Sequence, residues 1–287
     1  MHCYVKREDE LGFGISGSKI RKYLALVPYI LSQKPDEVIL IGTPYSNHIL
    51  GLSQLLRENG IPPTLFLAGG KEKPTGNYLL TSLFAERIEL FEKGSWNELE
   101  KHVEEYIDHH PHKKIMVIPK GGNTKEALYG LLTLPLDILK NEKELGLTFD
   151  HIIMDSGTGF TAAAVILGLT HLGRKPHVHV FQMAGSVQEF HDTFAFARGE
   201  FEQFIGEKQP SPLPYSVYLP TNAKSFGSVN ATVLKTIKEI AKAEGFLVDP
   251  IYNAKLFYEG QKLVPTLKGN ILFIHSGGGI SLLGFLP

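Results

Sequence analysis

Short apolar runs rich in β-branched residues alternate with longer helix-like stretches along most of this chain. Most of the runs are apolar on both faces, as buried parallel strands require. The stretches between them have helical patterns, such as Ser53 to Asn59, which stops at Gly60. This order predicts an α/β fold with parallel sheets covered by helices. Six strands are predicted: Val38–Ile41, Thr64–Leu67, Ile115–Ile118, Ile152–Met154, His177–Phe181 and Ile271–Ile274.

Length and composition limit the class of protein. The 287 residues are enough for one large or two ordinary domains. A net charge of -1 argues against nucleic acid as the main partner, because a phosphate-backbone binder normally has a basic excess. The single cysteine, Cys3, excludes an internal disulfide and a thiolate metal cluster, and we predict no metal site. The N-terminus turns charged at once and no apolar run could span a bilayer, so we expect a soluble, cytoplasmic protein without a membrane partner.

Three of the predicted strands end in turns rich in glycine, serine and threonine. The turns are Gly42–His48, Asp155–Thr161 and His275–Gly279. In parallel α/β folds ligands bind beyond the carboxyl ends of strands, where glycines and helix N-termini present backbone N–H groups to an anion. Any loop from a strand to a helix needs turn residues and caps, so one such turn would carry little information. Three together favour a phosphate site.

Sequence motifs limit which type of phosphate-bearing ligand the chain is expected to bind. The chain has no Gly-x-x-x-x-Gly-Lys-Ser/Thr loop. Gly157-x-Gly159-x-x-Ala162 fits a loose dinucleotide fingerprint, but the next strand ends in Phe181-Gln182-Met183 without the acid that would bind ribose hydroxyls. Gly12-x-Gly14-x-x-Gly17 also matches, but it follows a charged stretch. A smaller phosphate ester fits better, and a nucleotide stays open as an alternative.

Lys19 and Lys22 lie at the start of a predicted helix, where the helix dipole is unfavourable for cations. Their spacing of three puts both on one helical face. Most such clusters are surface basic residues. A lysine that forms an imine, however, needs a site where its amine can lose its proton, and a second ammonium nearby lowers its pKa while it pairs with a phosphate.

Six short motifs occur in order along almost the whole chain. They are Lys6-Arg7-Glu8-Asp9 with Gly17-Ser18-Lys19-Ile20-Arg21-Lys22, Ser46-Asn47-His48, Pro119-x-Gly121-Gly122-Asn123, Ser156-Gly157-Thr158-Gly159-Phe160-Thr161, Asp249-Pro250-Ile251-Tyr252-x-x-Lys255 and His275-Ser276-Gly277-Gly278. Together they resemble the motifs of the 1-aminocyclopropane-1-carboxylate deaminase / D-cysteine desulfhydrase family of tryptophan-synthase-β-like (fold type II) pyridoxal phosphate enzymes.

The resemblance implies a role for each matched position. Lys19 would bind pyridoxal 5'-phosphate covalently and act as the base at the substrate α-carbon. Ser46 would lie near the substrate carboxylate, and Tyr252 would act as a nucleophile or an acid. Asn47 would contact the ring hydroxyl of the cofactor, and Ser276 would approach its pyridine nitrogen. The cofactor phosphate would be bound by Lys22, Gly157, Thr158, Gly159, Phe160 and Thr161.

The chain also departs from the family pattern. Phe160 stands where the family has a small residue, so we expect a reshaped loop or a shifted cofactor. Asn253 follows Tyr252 where the deaminases have Glu and the desulfhydrases Thr, which puts cyclopropane ring opening in doubt. The other departures are Ser18 for Asn, Tyr45 for Gln, Ala254 for Gly, and the absence of a Thr-Pro-Leu element before Val5.

These observations predict a two-domain enzyme with the cofactor in the cleft between the domains. Residues 1–32 and 136–287 would form the large domain and 33–135 the small one. Residues 183 to 228, with four prolines between Pro210 and Pro220, are interpreted as a helix and an irregular segment at a domain edge or active-site rim. The predicted activity is a lyase or deaminase (hydrolase) that converts a small amino acid, D-cysteine-like or 1-aminocyclopropane-1-carboxylate-like, to a 2-oxo acid and ammonia. The expected assembly is a homodimer, and the alternative function is a cofactor-binding paralogue with weakened turnover and a regulatory or carrier role.

Overall fold

Nine strands form two β-sheets in the computed structural model, which describes residues 2–15, 17–69 and 74–285. The strands are β1 (His2–Arg7), β2 (Glu37–Gly42), β3 (Pro63–Ala68), β4 (Arg87–Phe91), β5 (Ile115–Ile118), β6 (His151–Ser156), β7 (His177–Gln182), β8 (Tyr215–Tyr218) and β9 (Asn270–His275).

Ten α-helices connect and cover these strands in the same described ranges. They are α1 (Ile20–Gln33), α2 (Asn47–Glu58), α3 (Gly76–Phe84), α4 (Leu99–Asp108), α5 (Lys125–Leu131), α6 (Thr133–Leu145), α7 (Phe160–His171), α8 (Val187–Ile205), α9 (Ala231–Glu244) and α10 (Asn253–Leu263). In the part of the chain that the structure describes, none of the helices combines the length and apolarity needed to cross a bilayer.

Every pair of neighbouring strands is parallel. The larger sheet has the order β1-β9-β6-β7-β8 and the smaller sheet the order β4-β3-β2-β5. In the larger sheet Met154 of β6 lies opposite Ile274 of β9, so the turns after these two strands begin side by side. The prediction of an α/β fold with parallel sheets covered by helices is confirmed.

All six predicted strands are present, but β1, β4 and β8 were not predicted. These three strands lie at sheet edges and mix polar with apolar residues, none of which is fully buried, whereas the fourth edge strand, β5, is uniformly apolar. The stretch before Gly12, which we interpreted only as charged, therefore contains strand β1. The segment 183–228 contains the predicted helix, α8, and in addition the edge strand β8.

Helices cover both faces of each sheet. In the smaller sheet α1 and α2 pack on one face and α4 on the other. In the larger sheet α5 to α8 pack on one face, and α9 and α10 pack on the other. The apolar run Phe160–Leu169 is α7, which is almost entirely buried and therefore apolar all round.

Helices α1 and α5 approach each other closely at Gly130. A Cβ atom at this position would overlap the backbone carbonyl oxygen of Arg21. The close approach holds the first turn of α1, which follows Lys19 and contains Lys22, against the last turn of α5. A glycine far from both lysines in sequence thus helps to place them.

Candidate active site

A cleft of about 930 Å³ lies at the carboxyl ends of strands from both sheets. Its walls come from the turns after β2, β3 and β5 of the smaller sheet and after β6, β7 and β9 of the larger one. The three glycine-, serine- and threonine-rich turns therefore meet, as predicted. Among the lining residues are Lys19, Lys22, Ser46, Gly157, Thr158, Gly159, Phe160, Thr161, Tyr252 and Ser276.

Lys19 is the last residue of a short 3-10 turn, Gly17–Lys19, that leads into α1. The turn is held against the end of β9, because the Ser18 N–H donates to the Ser276 carbonyl oxygen at 2.9 Å. Gly17 has φ +52°, and a Cβ there would overlap the same carbonyl oxygen. Ser18 is buried in this contact, so the family's Asn is replaced by a smaller side chain in a packed turn.

A buried ion network fixes the segment from the other side. The Arg21 guanidinium donates to both Glu8 carboxylate oxygens, at 2.6 and 2.8 Å, and to Asp137 at 2.7 Å. Lys6 Nζ also donates to Asp137, at 2.7 Å. The motif Lys6-Arg7-Glu8-Asp9 therefore serves to anchor the start of α1, and bidentate Arg–carboxylate pairing gives that anchor a fixed geometry.

Desolvation controls the charge state of both lysines. It lowers the pKa of Lys19, an effect that the negative charges of Asp155 and Asp249 oppose. Burial and the nearby Lys19 lower the pKa of Lys22 to about 7. Lys22 Nζ donates to the Gly121 carbonyl oxygen at 2.7 Å. Burial therefore makes it easier for Lys19 to lose its proton, while Lys22 can become a cation when an anion binds beside it.

The loop 156–161 forms a cradle at the start of α7. Gly159 has φ +93°, and the first-turn N–H groups of α7 have no partners within the helix. The Ser156 hydroxyl oxygen is buried with no hydrogen-bond partner in the described part of the molecule. Gly157 faces Tyr252, since a Cβ there would lie 3.3 Å from the tyrosine hydroxyl.

Phe160 does not fill the cradle. Its ring is buried in the core, stacked against Phe196 at a centroid distance of 6.0 Å, and it lies 5.1 Å from Lys22 Nζ. The expectation of a reshaped loop rested on the size of this side chain. The ring instead packs into the core between α7 and α8.

Ser46 and Tyr252 lie where an amino-acid substrate could meet them. Ser46 caps α2, and its hydroxyl oxygen accepts from the Ile49 N–H at 3.2 Å, which leaves its own O–H free to donate. The Tyr252 ring centroid lies 5.7 Å from Lys19 Nζ. Burial, with smaller contributions from Asp155 and Asp249, raises the pKa of Tyr252 well above its usual range, so its hydroxyl stays protonated.

Asn47 is placed differently from the other predicted residues. It is buried at the first residue of α2, its Oδ1 accepts from Asn77 Nδ2 at 2.6 Å, and its amide packs against Gly278. In the part of the chain that the structure describes, it does not line the cleft, whereas its neighbours Ser46 and His48 do. Its contact with a ring hydroxyl stays a prediction.

Asn253 has a structural role. Its Nδ2 donates to Asp249 at 2.7 Å and to the Gly277 carbonyl at 2.7 Å, and its Oδ1 accepts from the Ser276 N–H at 3.0 Å. An amide donates and accepts at once, which a Glu at this position could not do. The departure from the family pattern therefore locks the turn after β9 to the start of α10.

Lys255 closes the rim of the cleft. Its Nζ donates to the Ala223 and Ser225 carbonyl oxygens, at 2.8 and 3.3 Å. Residues 225–228 line the cleft, so the interpretation of the segment 183–228 as containing an active-site rim is confirmed. The matched lysine of the motif thus positions this rim.

His48 and Asp155 are among the lining residues that the sequence analysis did not assign to the site. His48 Nε2 is buried with no hydrogen-bond partner in the described ranges, and burial together with Lys22 and Lys19 keeps its pKa well below the ordinary value. Asp155 stands at the end of β6 with its side chain in the cleft. The signal for Asp155 was present in the sequence, because an acid directly follows the apolar run Ile152–Met154.

These residues fit a cofactor that combines a phosphate with a carbonyl-bearing ring. The cradle 156–161, with its unpartnered Ser156 hydroxyl, and the titratable Lys22 suit the phosphate. Lys19, at the base of the same cleft, suits covalent attachment. The cleft volume is that of a small-ligand site.

Comparisons with known proteins agree with this chemistry. Residues 1–277 match the family model described as pyridoxal-phosphate dependent enzyme. A Pyrococcus furiosus protein provisionally named a 1-aminocyclopropane-1-carboxylate deaminase is 32% identical over 99% of this chain and 88% of its own. A D-cysteine desulfhydrase of Yersinia pestis is 26% identical over 99% of this chain and 88% of its own. The crystal structure of a 1-aminocyclopropane-1-carboxylate deaminase homologue superposes with a TM-score of 0.85 and 29% identity, covering 99% of this chain and 86% of that one.

These matches, together with the two-sheet architecture, confirm the predicted family, fold class and cofactor. The chain belongs to the pyridoxal-phosphate dependent enzyme family and has the fold-type-II architecture of that family's 1-aminocyclopropane-1-carboxylate deaminase and D-cysteine desulfhydrase members.

Proposed function

We propose that this enzyme deaminates a small amino acid of the D-cysteine or 1-aminocyclopropane-1-carboxylate class to a 2-oxo acid and ammonia, with D-cysteine-like substrates preferred and their sulfur released as sulfide. One observation carries the proposal: Lys19, with a lowered pKa, lies in one cleft with the anion cradle 156–161 and the protonated Tyr252. The names of the Pyrococcus and Yersinia relatives support both substrate types. Release of the 2-oxo acid consumes water, which is the basis for the hydrolase class.

The residues divide the chemistry between them. When bound, pyridoxal phosphate supplies an electron-withdrawing ring that stabilises negative charge at the α-carbon of an attached amino acid. The neutral Lys19 amine takes the α-proton. Ser46 and the N-terminus of α2 orient the substrate carboxylate. The raised pKa of Tyr252 favours the acid role over the nucleophile role, because its hydroxyl keeps its proton at neutral pH.

The cofactor contacts are proposed as predicted. Lys22 and the N–H groups of residues 157–161 bind the phosphate, and Ser276 approaches the pyridine nitrogen. The 2.7 Å bond from Lys22 to the Gly121 carbonyl supports the first assignment, because it holds the ammonium beside the cradle. The 2.9 Å bond between Ser18 and Ser276 supports the second, because it keeps Ser276 next to the lysine turn.

The decisive experiment compares wild type with Lys19→Ala after addition of pyridoxal phosphate. Wild type should show a visible absorbance band that borohydride fixes on Lys19, as located by mass spectrometry of a digest. Lys120→Ala is the matched control, because Lys120 also lines the cleft but its Nζ binds the Trp96 carbonyl and Glu100. The control should keep the band, and a wild-type protein without any adduct would contradict the proposal.

Product assays then separate the functions. Wild type should release ammonia and a 2-oxo acid from D-cysteine or 1-aminocyclopropane-1-carboxylate. An adduct without product from either substrate, or from L-cysteine, would support the weakened paralogue. Absence of an adduct with tight binding of NAD would support the nucleotide-binding alternative.

We also propose a homodimer. Leu24 of α1 and Phe204 of α8 are 63% and 54% exposed, and Phe204 stacks on Tyr129 of α5 with a centroid distance of 4.4 Å. Large exposed apolar side chains on adjoining helices are typical of subunit contacts. Light scattering should give twice the chain mass for wild type and the chain mass for Phe204→Glu. A monomeric wild type would overturn the assignment.

The domain division and the location are kept as proposals. The division into 1–32 with 136–287 and 33–135 is supported by the separation of β2 to β5 from the other strands. Helices α1 and α5 pack on each other between the two sheets, so the exact boundaries between the two domains lie at these helices. A cytoplasmic location without a membrane partner stays a proposal, and the near-zero net charge supports the absence of a nucleic-acid partner.

A further inference from the structure

Asp155 is an acidic residue of the cleft with one buried carboxylate oxygen that accepts no hydrogen bond in the described residues. It lies at the carboxyl end of β6, immediately before the cradle 156–161. Its side chain lines the cleft, and its Oδ1 is buried with no hydrogen-bond partner in the described residues. A buried carboxylate oxygen without a donor is costly, so a carboxylate in this state is suited to a donor that arrives with a ligand.

The second carboxylate near Lys19 is already satisfied. Asp249 accepts from the backbone N–H groups of Ile251, Tyr252 and Asn253, at 2.8 to 3.0 Å, and from the Asn253 side chain at 2.7 Å. It is fully buried and lies outside the cleft lining in the part of the chain that the structure describes. Of the two carboxylates that act on Lys19, only Asp155 can accept a hydrogen bond from a ligand.

The groups around Asp155 define its electrostatic environment. Burial raises the pKa of its carboxyl to about 6, and Asp249 acts in the same direction. A hydrogen bond from the Ser276 hydroxyl and the charges of Lys19 and His275 act in the opposite direction. A cation that entered beside Ser276 would therefore ionise Asp155 and stabilise it.

The cofactor chemistry identifies that cation. In pyridoxal phosphate the phosphate-bearing carbon and the ring nitrogen are separated by one ring carbon. If the phosphate were held in the cradle 156–161, the ring nitrogen would be close enough to the cradle to be reached by a side chain at the strand end that leads into it. Asp155 occupies that strand end, next to Ser276 at the end of the neighbouring strand β9.

We propose that Asp155 is a cofactor-binding residue that accepts a hydrogen bond from the protonated pyridine nitrogen, with Ser276 alongside it. This inference rests on the proposed function. A carboxylate at this position keeps the nitrogen protonated and strengthens electron withdrawal by the ring. The neutral Ser276 alone would leave the ring less electron-withdrawing.

The test measures the protonation of the ring nitrogen and not turnover. Wild type, Asp155→Asn and Asp192→Asn are reconstituted with pyridoxal phosphate labelled with ¹⁵N at the ring nitrogen. Asp192 is the matched control, because it also lines the cleft but pairs with Gln188 at 2.8 Å. The ¹⁵N shift at pH 8 should be that of a protonated nitrogen in wild type and Asp192→Asn, and of an unprotonated nitrogen in Asp155→Asn.

A binding comparison gives an independent readout. The cofactor analogue with carbon in place of the ring nitrogen should bind wild type roughly tenfold to a hundredfold more weakly than pyridoxal phosphate, as expected for a lost charged hydrogen bond. Asp155→Asn should lose this preference. A protonated nitrogen and an unchanged preference in Asp155→Asn would overturn the inference, even though Lys19 still forms its adduct. Absence of an adduct in wild type would instead contradict the proposed function.

Discussion

The Ser18 N–H donates to the Ser276 carbonyl oxygen at 2.9 Å, although the two residues lie near opposite ends of the chain. This bond joins the turn that bears Lys19 to the end of β9. Gly17 lets the two backbones meet, because its φ of +52° and its missing Cβ are both required at this contact. The position of Lys19 therefore depends on tertiary contact with the C-terminal strand.

Gly17→Ala should disrupt this contact. We expect a loss of about 2–4 kcal/mol in unfolding free energy, because the new Cβ overlaps backbone and the φ is strained. Gly60→Ala is the control: its φ is +75° but a Cβ there meets no atom within 4 Å, so about 1 kcal/mol should be lost. Denaturant titration measures both, and equal losses would show that the Ser276 contact adds nothing.

Asp155→Asn should stabilise the protein without cofactor. The raised pKa of Asp155, about 6, means that its ionisation opposes folding. The penalty is absent below the unfolded pKa of about 4, grows as pH rises and is complete above about 6. The variant should therefore gain up to about 3 kcal/mol at pH 8 and nothing at pH 4. Thermal unfolding at both pH values measures this, and an equal gain at pH 4 would point to packing instead.

Sulfate binding should depend on the protonation of Lys22. Sulfate stays a dianion across this range, so only the protein titrates. The pKa of Lys22, lowered to about 7, predicts that affinity falls as pH rises above 7, by up to about tenfold per unit. Calorimetry in buffers of different ionisation enthalpy should show proton uptake near pH 8.

Two variants assign that pH dependence. Lys22→Met should bind sulfate weakly and without a slope in this range. Lys19→Met should shift the fall in affinity to higher pH, because the Lys19 charge is one cause of the lowered Lys22 pKa. A slope that persists in Lys22→Met would assign the titration to another group.

Glu8→Gln should cost about 3 kcal/mol, because it breaks a buried pair and leaves the Arg21 guanidinium under-compensated. Glu86→Gln is the control. It breaks an ion pair with Arg57 of similar length, 2.7 Å, but this pair is exposed, so the loss in unfolding free energy should stay below about 1 kcal/mol. Urea titration of both variants tests the difference. Similar losses would mean that the network around Arg21 does not hold the start of α1.

The sequence determined the fold class and the family, and all of the predicted site residues except Asn47 line one cleft. Continuous apolar runs such as Ile152–Met154 predict buried parallel strands wherever both faces are covered, and all six such runs are strands. Strands β1, β4 and β8 were missed because none of their residues is fully buried, so polar residues interrupt their apolar pattern, whereas the edge strand β5 is uniformly apolar and was predicted. The motif order carried the identity of Lys19 and of the cradle 156–161.

Tertiary structure decided the environment of each of these residues. Phe160 could have filled the cradle, but packing beneath α7 places its ring in the core. Asn253 stands for a family acid or hydroxyl, yet its amide is used to join two turns. In the sequence Asp155 is only an acid that follows a strand, whereas the fold places Lys19 and Ser276 beside it. The sequence fixes which residue types are available. The charge state and the role of each residue depend on desolvation and on its partners, and these arise only when distant segments pack together.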